Sequence, residues 1–151
     1  MIKNIPNKYN YDMMLETIDQ GFKGEYDFFY LPIDFKVISS LMKNKCNMGY
    51  AFINFINSRT IGDFYRRFNR KKWESFNSEK ICEITYGRIQ GREELCKHFE
   101  TSRIIQQTDK RNRPLILPKS NLSNIHILIE KQVNFHLIQK NKVNETKRNS
   151  N

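Results

Sequence analysis

This chain predicts an α+β fold of ferredoxin-like β-α-β-β-α-β order, and three observations predict it. Two segments carry apolar residues at i, i+3, i+4 and i+7, the spacing of one helix face. Four short segments are rich in aromatic and β-branched residues or alternate in polarity, as strands do. The two kinds interleave so that a four-stranded antiparallel sheet with two helices on one face accounts for all of them.

Each element follows from local chemistry. MIKNIP (1–6) reads as a strand ended by Pro6, which has no N–H to give to a ladder. Tyr11, Met14, Leu15 and Ile18 share one helix face, with Asn10 as N-cap and Gly21 near the end. YDFFYLPIDF (26–35) is aromatic and short, a strand stopped near Pro32. MGYAFINFI (48–56) is the clearest strand. Ile61, Phe64, Tyr65 and Phe68 repeat the helical spacing, with Ser58 or Thr60 as cap. KICEITYGRI (80–89) alternates again and closes the set, its Ile84 and Tyr86 facing inward. GREELCKHFETSRII (91–105) supplies a third, C-terminal helix with Leu95 and Phe99 one turn apart, placed to pack beside or over the sheet and to gate it.

Strand alternation decides which residues meet a ligand. Helices cover only one face of such a sheet, so Ala51, Ile53 and Phe55 point into the core while Met48, Tyr50, Phe52 and Asn54 point to the bare face. Two aromatic rings on an open sheet suit flat, unpaired bases, each stack contributing ~1–3 kcal/mol. By the same logic Phe28 and Tyr30 face outward on the second strand, and Glu83 and Thr85 on the last. A C-terminal segment folded across the face is the alternative, in which the rings are ordinary core.

Charge agrees with an anionic partner. The 151 residues carry 26 Lys and Arg against 16 Asp and Glu, a net charge of +10. RRFNRKKW (66–73) concentrates cations on the second helix and its exit, behind the sheet, and reads mainly as a solvated face. Cys46, Cys82 and Cys96 form no CxxC pair, which fits a reducing compartment, and Cys96 with His98 lacks the partners a zinc ion needs. No run of ~18 apolar residues and no signal-peptide order is present, so the reading is a soluble intracellular protein of nucleus or cytoplasm without a membrane partner. No Gly-rich phosphate loop, nucleophile with a base, or carboxylate pair points to catalysis, and no cofactor is expected.

MGYAFINF (48–55) resembles the second signature octamer of RNA recognition motifs, and MIKNI (1–5) resembles the first signature begun one residue late, with Met1 where a ring is usual. Together with YDFFYLPIDF, NSEKICEITYGRIQGREELCKHF and RPLIL, the chain over residues 1–117 is similar to the C-terminal RNA recognition motif of Mei2-like proteins, RNA-binding regulators tied to meiosis and development. The resemblance implies that single-stranded RNA lies on the sheet against Tyr50 and Phe52, with Asn54 and Thr85 at base edges. Met1, Lys3, Phe28, Tyr30, Met48 and Arg88 complete the expected interface. Met48 stands where the octamer usually opens on a cation, so Lys45 or Lys43 takes the phosphate contact expected there. Family members are usually larger, and the chain starts inside the first strand as a fragment or an incomplete gene model would.

VISSLMK (37–43) departs from the pattern; it is read as a loop insertion or a retained intron, and neither changes the fold. Residues 118–151 form a basic Asn- and Lys-rich tail in which 124–138 is apolar enough to order and 139–151 is disordered. The leading reading is a post-transcriptional regulator that binds single-stranded RNA. The alternative is a protein-interaction module on the same fold, and a small enzyme is the third possibility.

Overall fold

The computed structural model describes residues 1–34 and 46–117. The insertion 37–43, Lys43, Lys45 and the tail 118–151 lie outside the described residues. The elements are β1 (Ile2–Lys3), α1 (Tyr11–Phe22), β2 (Tyr26–Tyr30), β3 (Tyr50–Phe55), α2 (Ser58–Phe68), β4 (Glu83–Ile84), α3 (Arg92–Glu100), a 3-10 turn (Lys110–Asn112) and β5 (Leu115–Ile116). The first six of these follow the β-α-β-β-α-β order expected of the sequence.

Among the described residues the sheet has five strands rather than four, in the antiparallel order β4-β1-β3-β2-β5. The addition is β5, drawn from RPLIL, which pairs Leu115 with Phe29 and Ile116 with Phe28. Asn10 caps α1, its side chain accepting from Met13 N–H at 2.9 Å. The cap of α2 is Asn57, not Ser58 or Thr60: its side-chain oxygen accepts from Arg59 N–H at 3.0 Å, so both expected caps lie inside the helix.

Directly paired residues share a face. Ile2, Ala51 and Ile84 therefore lie on the helix side, where Ile2, Ala51, Phe29, Leu31, Met14, Ile18, Phe22 and Phe64 form the main core. Phe22, Phe55, Phe64 and Phe68 pack there as tilted and edge-on rings 4.6–6.2 Å apart. Tyr86 departs from its expected inward position and is 80% exposed, because β4 ends at Ile84 and the alternation ends with it.

Asn47 sets the start of β3. It is buried, its amide donates to the carbonyls of Pro6 and Tyr9 at 2.8 Å each, and its side-chain oxygen accepts from Gly49 N–H at 2.7 Å. Gly49, at φ +85°, makes the left-handed step that delivers Tyr50 to the sheet. No helix among the described residues is long and apolar enough to cross a membrane.

Candidate nucleic-acid interface

Ladder register places the outer face in rows. Lys3 lies between Tyr50 and Glu83, Phe52 opposite Tyr30, and Phe28 between Asn54 and Ile116. Met1 joins the same face through a two-way bond with Thr85: the Met1 ammonium donates to Thr85 O at 2.8 Å and Thr85 N–H donates to Met1 O at 3.0 Å. The alternation read from the sequence thus brings Met1, Lys3, Phe28, Tyr30, Tyr50, Phe52, Asn54, Glu83 and Thr85 to one side of the sheet.

That side is not bare throughout. α3 lies on it, and Leu95 and Phe99 bury Phe28 and Tyr30 in a second cluster, with Phe52, Ile89, Ile104 and Ile105 at its margin. Phe28 is wholly buried and Tyr30 nearly so, which corrects their expected place on an open platform: the face is right, and a helix occupies it. The chain leaves the sheet at β4, crosses the outer face as α3 and rejoins at β5 on the opposite edge. Gly91 opens α3 at φ +82°, ψ 149°, a backbone region that is essentially glycine's own. Arg92 ties the helix to β5 by donating to Leu117 O at 3.1 Å.

The open part centres on Tyr50. Its ring is half-buried and meets Phe52 edge-on with centroids 5.6 Å apart, while Phe52 reaches Phe99 at 6.5 Å. Lys3 pairs with Glu83 at 3.2 Å across the strands, so the cation beside Tyr50 is held in place and partly neutralised. Met48 is 51% exposed at the entrance to β3. Asn54 donates to the buried Asp27 carboxylate at 2.8 Å, a partner that sequence reasoning missed. The register shift between Tyr26 and Phe28 places Asp27 at a bulge, which strand alternation does not anticipate. Arg88 is exposed, past the end of β4.

Burial also sets the acidity of the covered tyrosine. Loss of solvent, and then the neighbouring Tyr50, push the Tyr30 hydroxyl up to about 12. It stays neutral at any physiological pH, as a ring packed under a helix must.

A β-α-β-β-α-β core with an aromatic β3 and a helix laid over the sheet face defines an RNA-binding domain. The chain matches the model of RNA recognition motif 2 over residues 1–100 and belongs to that family, the Mei2 type of the motif. It is similar to Protein MEI2-like 2 of Oryza sativa subsp. japonica, 57% identical over 116 residues that cover 77% of this chain and 13% of the rice protein. Protein MEI2-like 4 of Arabidopsis thaliana is 56% identical over 116 residues, 77% of this chain and 12% of its own length. Protein MEI2-like 5 of rice is 51% identical over 130 residues, 85% of this chain and 15% of its own. The chain thus spans about an eighth of the length of these relatives.

Proposed function

We propose that the domain binds single-stranded RNA on the uncovered part of its sheet, as part of post-transcriptional regulation in the nucleus or cytoplasm. The observation that carries this reading is the accessible Tyr50 ring, set edge-on to Phe52 and beside Lys3 on the outer face. Tyr50 is the principal stacking platform, and Phe52 presents its free edge to a second base. Asn54, fixed through its amide by Asp27, turns its oxygen to base donors, with Thr85 and Met1 alongside. Met48, Lys3 and Arg88 border the path of the strand, and Lys45 is the proposed phosphate contact. Phe28 and Tyr30 join only when α3 is displaced.

The basic tail adds attraction without specificity. Residues 119–151 hold six cations against two acids, and phosphate contacts carry no base information. Truncation after Pro118 is expected to weaken binding to every RNA by a similar factor and to flatten its salt dependence.

Titration of single-stranded RNA, duplex RNA and single-stranded DNA against the chain and its Tyr50→Ala form tests the reading. Preference for single-stranded RNA that falls with Tyr50→Ala is expected. One observation favours the second reading, a protein-interaction module: α3 already seats protein side chains on half of the face. RNA binding that survives loss of both Tyr50 and Phe52 rings would favour it.

A further inference from the structure

The chain leaves α2 through Arg70, a residue other than glycine at φ +60°, and then folds back along β4's approach. Arg70 N–H donates to Cys82 O and Cys82 N–H donates to Lys71 O, both at 2.8 Å, and Lys72 bridges to Ile81. Residues 71–73 are thereby fixed as a short extended run. That run closes a cavity of about 320 Å³ on the helix side of the sheet, away from Tyr50. Thr17 and Gln20 of α1, Phe68 of α2, Tyr9 and Trp73 form its walls, and its volume falls in the range of ordinary ligand pockets.

The chemistry of this cavity is one-sided. Trp73 is only 7% exposed, and its buried indole N–H has no acceptor among the described residues. A buried donor is rarely left so, and a group entering the cavity beside the ring can bring the missing acceptor. Arg67, Lys71 and Lys72 line the same cavity against one acid, Glu74. Glu79 pairs with Lys72 at 3.3 Å, whereas Arg67 meets only the neutral Gln20 Oε1 at 3.4 Å and the Phe68 ring at 5.9 Å. Among the described residues no ion pair engages Arg67 or Lys71. The site thus lacks an acceptor within and an anion at its mouth.

We propose that this cavity docks an acidic segment of a partner protein: a tyrosine side chain enters it, its hydroxyl accepting from the Trp73 N–H, and Asp or Glu residues on either side pair with Arg67 and Lys71. A protein suits the site better than RNA does. Unpaired bases stack on open ring faces, but Trp73 is buried and packs against Tyr9 with centroids 5.1 Å apart, so neither ring offers such a face. A side chain inserted end-on needs none. Glu74 and Glu79 also stand where a run of phosphates would meet them, while a segment with two or three carboxylates can place its charges clear of both. The cations of residues 66–73, behind the sheet, thereby gain a partner separate from the proposed RNA path.

Trp73 is the only tryptophan of the 151 residues, so one indole N–H resonance reports on the cavity. The test uses the isotope-labelled chain and three peptides: acetyl-Asp-Glu-Tyr-Glu-Asp-amide, the same peptide with Phe for Tyr, and acetyl-Lys-Arg-Tyr-Arg-Lys-amide. The first is expected to move the indole resonance downfield, as a newly made hydrogen bond does. Phe for Tyr is expected to weaken binding roughly fivefold through loss of one neutral hydrogen bond, and the basic peptide is expected not to bind. Arg67→Ala with Lys71→Ala, both exposed, is expected to melt as the parent chain does and to bind the first peptide roughly tenfold or more weakly. Single-stranded RNA is expected to leave the indole resonance in place and to bind alongside the peptide. An indole resonance unmoved at millimolar acidic peptide, equal binding of the Tyr and Phe peptides, binding of the basic peptide, unchanged affinity of the double variant, or displacement of the peptide by RNA would each overturn the proposal.

Discussion

The ring of Phe99 stacks on that of Phe28 with centroids 5.8 Å apart and planes 27° from parallel. A helix side chain thereby occupies a sheet position where a flat ligand would lie, and Tyr30 meets the same ring edge-on at 5.1 Å. On the proposed reading, the sheet area open to RNA is set by how firmly α3 stays down.

Phe99→Ala tests that control. Removing a buried ring is expected to lower stability by about 3 kcal/mol. It is also expected to tighten single-stranded RNA binding, because Tyr30 and Phe52 lose their cover. Chemical denaturation and a binding titration on the same preparation check the two halves.

Tyr50→Ala separates stacking from folding. The ring is half-exposed and outside both buried clusters, so the melting temperature is expected to change little. Affinity for single-stranded RNA is expected to fall by ~1–3 kcal/mol, the contribution of one stacked base. Phe52→Ala is expected to lower both quantities, since that ring also packs against α3's cluster. Fluorescence anisotropy and thermal melting distinguish the two variants.

Core positions on one face are expected to differ in cost. Ile53 lies on the helix side but is only partly buried, so Ile53→Ala is expected to cost about 2 kcal/mol, the low end for such truncations. Its cross-strand partner Phe29 is wholly buried, and Phe29→Ala is expected to cost about 3–5 kcal/mol. Urea unfolding of both variants measures the difference.

Alkaline pH is expected to unfold the domain in a defined window. Burial, then Glu83, pushes the Cys82 thiol from 9.0 up to about 12, and burial, then Tyr50, pushes Tyr30 from 10.0 up to about 12. Each group has a folded value above its unfolded one, so between the two values the unfolded chain gives up the proton and the folded chain keeps it. Stability from these groups is fully present below about pH 9 and is lost as the pH rises toward 12. Melting temperatures across that range check the slope, which Tyr30→Phe is expected to flatten above pH 10.

Most of the frame was legible because periodicity reports burial directly. Tyr50 and Phe52 stand on the outer face as the alternation of 48–56 required, and Asn10 caps α1 as its side chain and position implied. What escaped was long-range. Leu95 and Phe99 are visible as a helical pair, but nothing local says that they seat on Phe28 and Tyr30. Asp27 meets Asn54 only through a bulge, and β5 is a two-residue strand whose pairing comes from distant β2. Tyr86 misled because the pattern of 80–89 continues past the point where backbone pairing stops.

The strand order also bears on how this domain behaves at high concentration. Both outer margins of the sheet are two-residue strands, Glu83–Ile84 on one side and Leu115–Ile116 on the other. Strands this short offer little template for a neighbouring molecule to zip onto, and Glu83 places a carboxylate on one of them. An aromatic-rich sheet is thereby kept from growing sideways into aggregates.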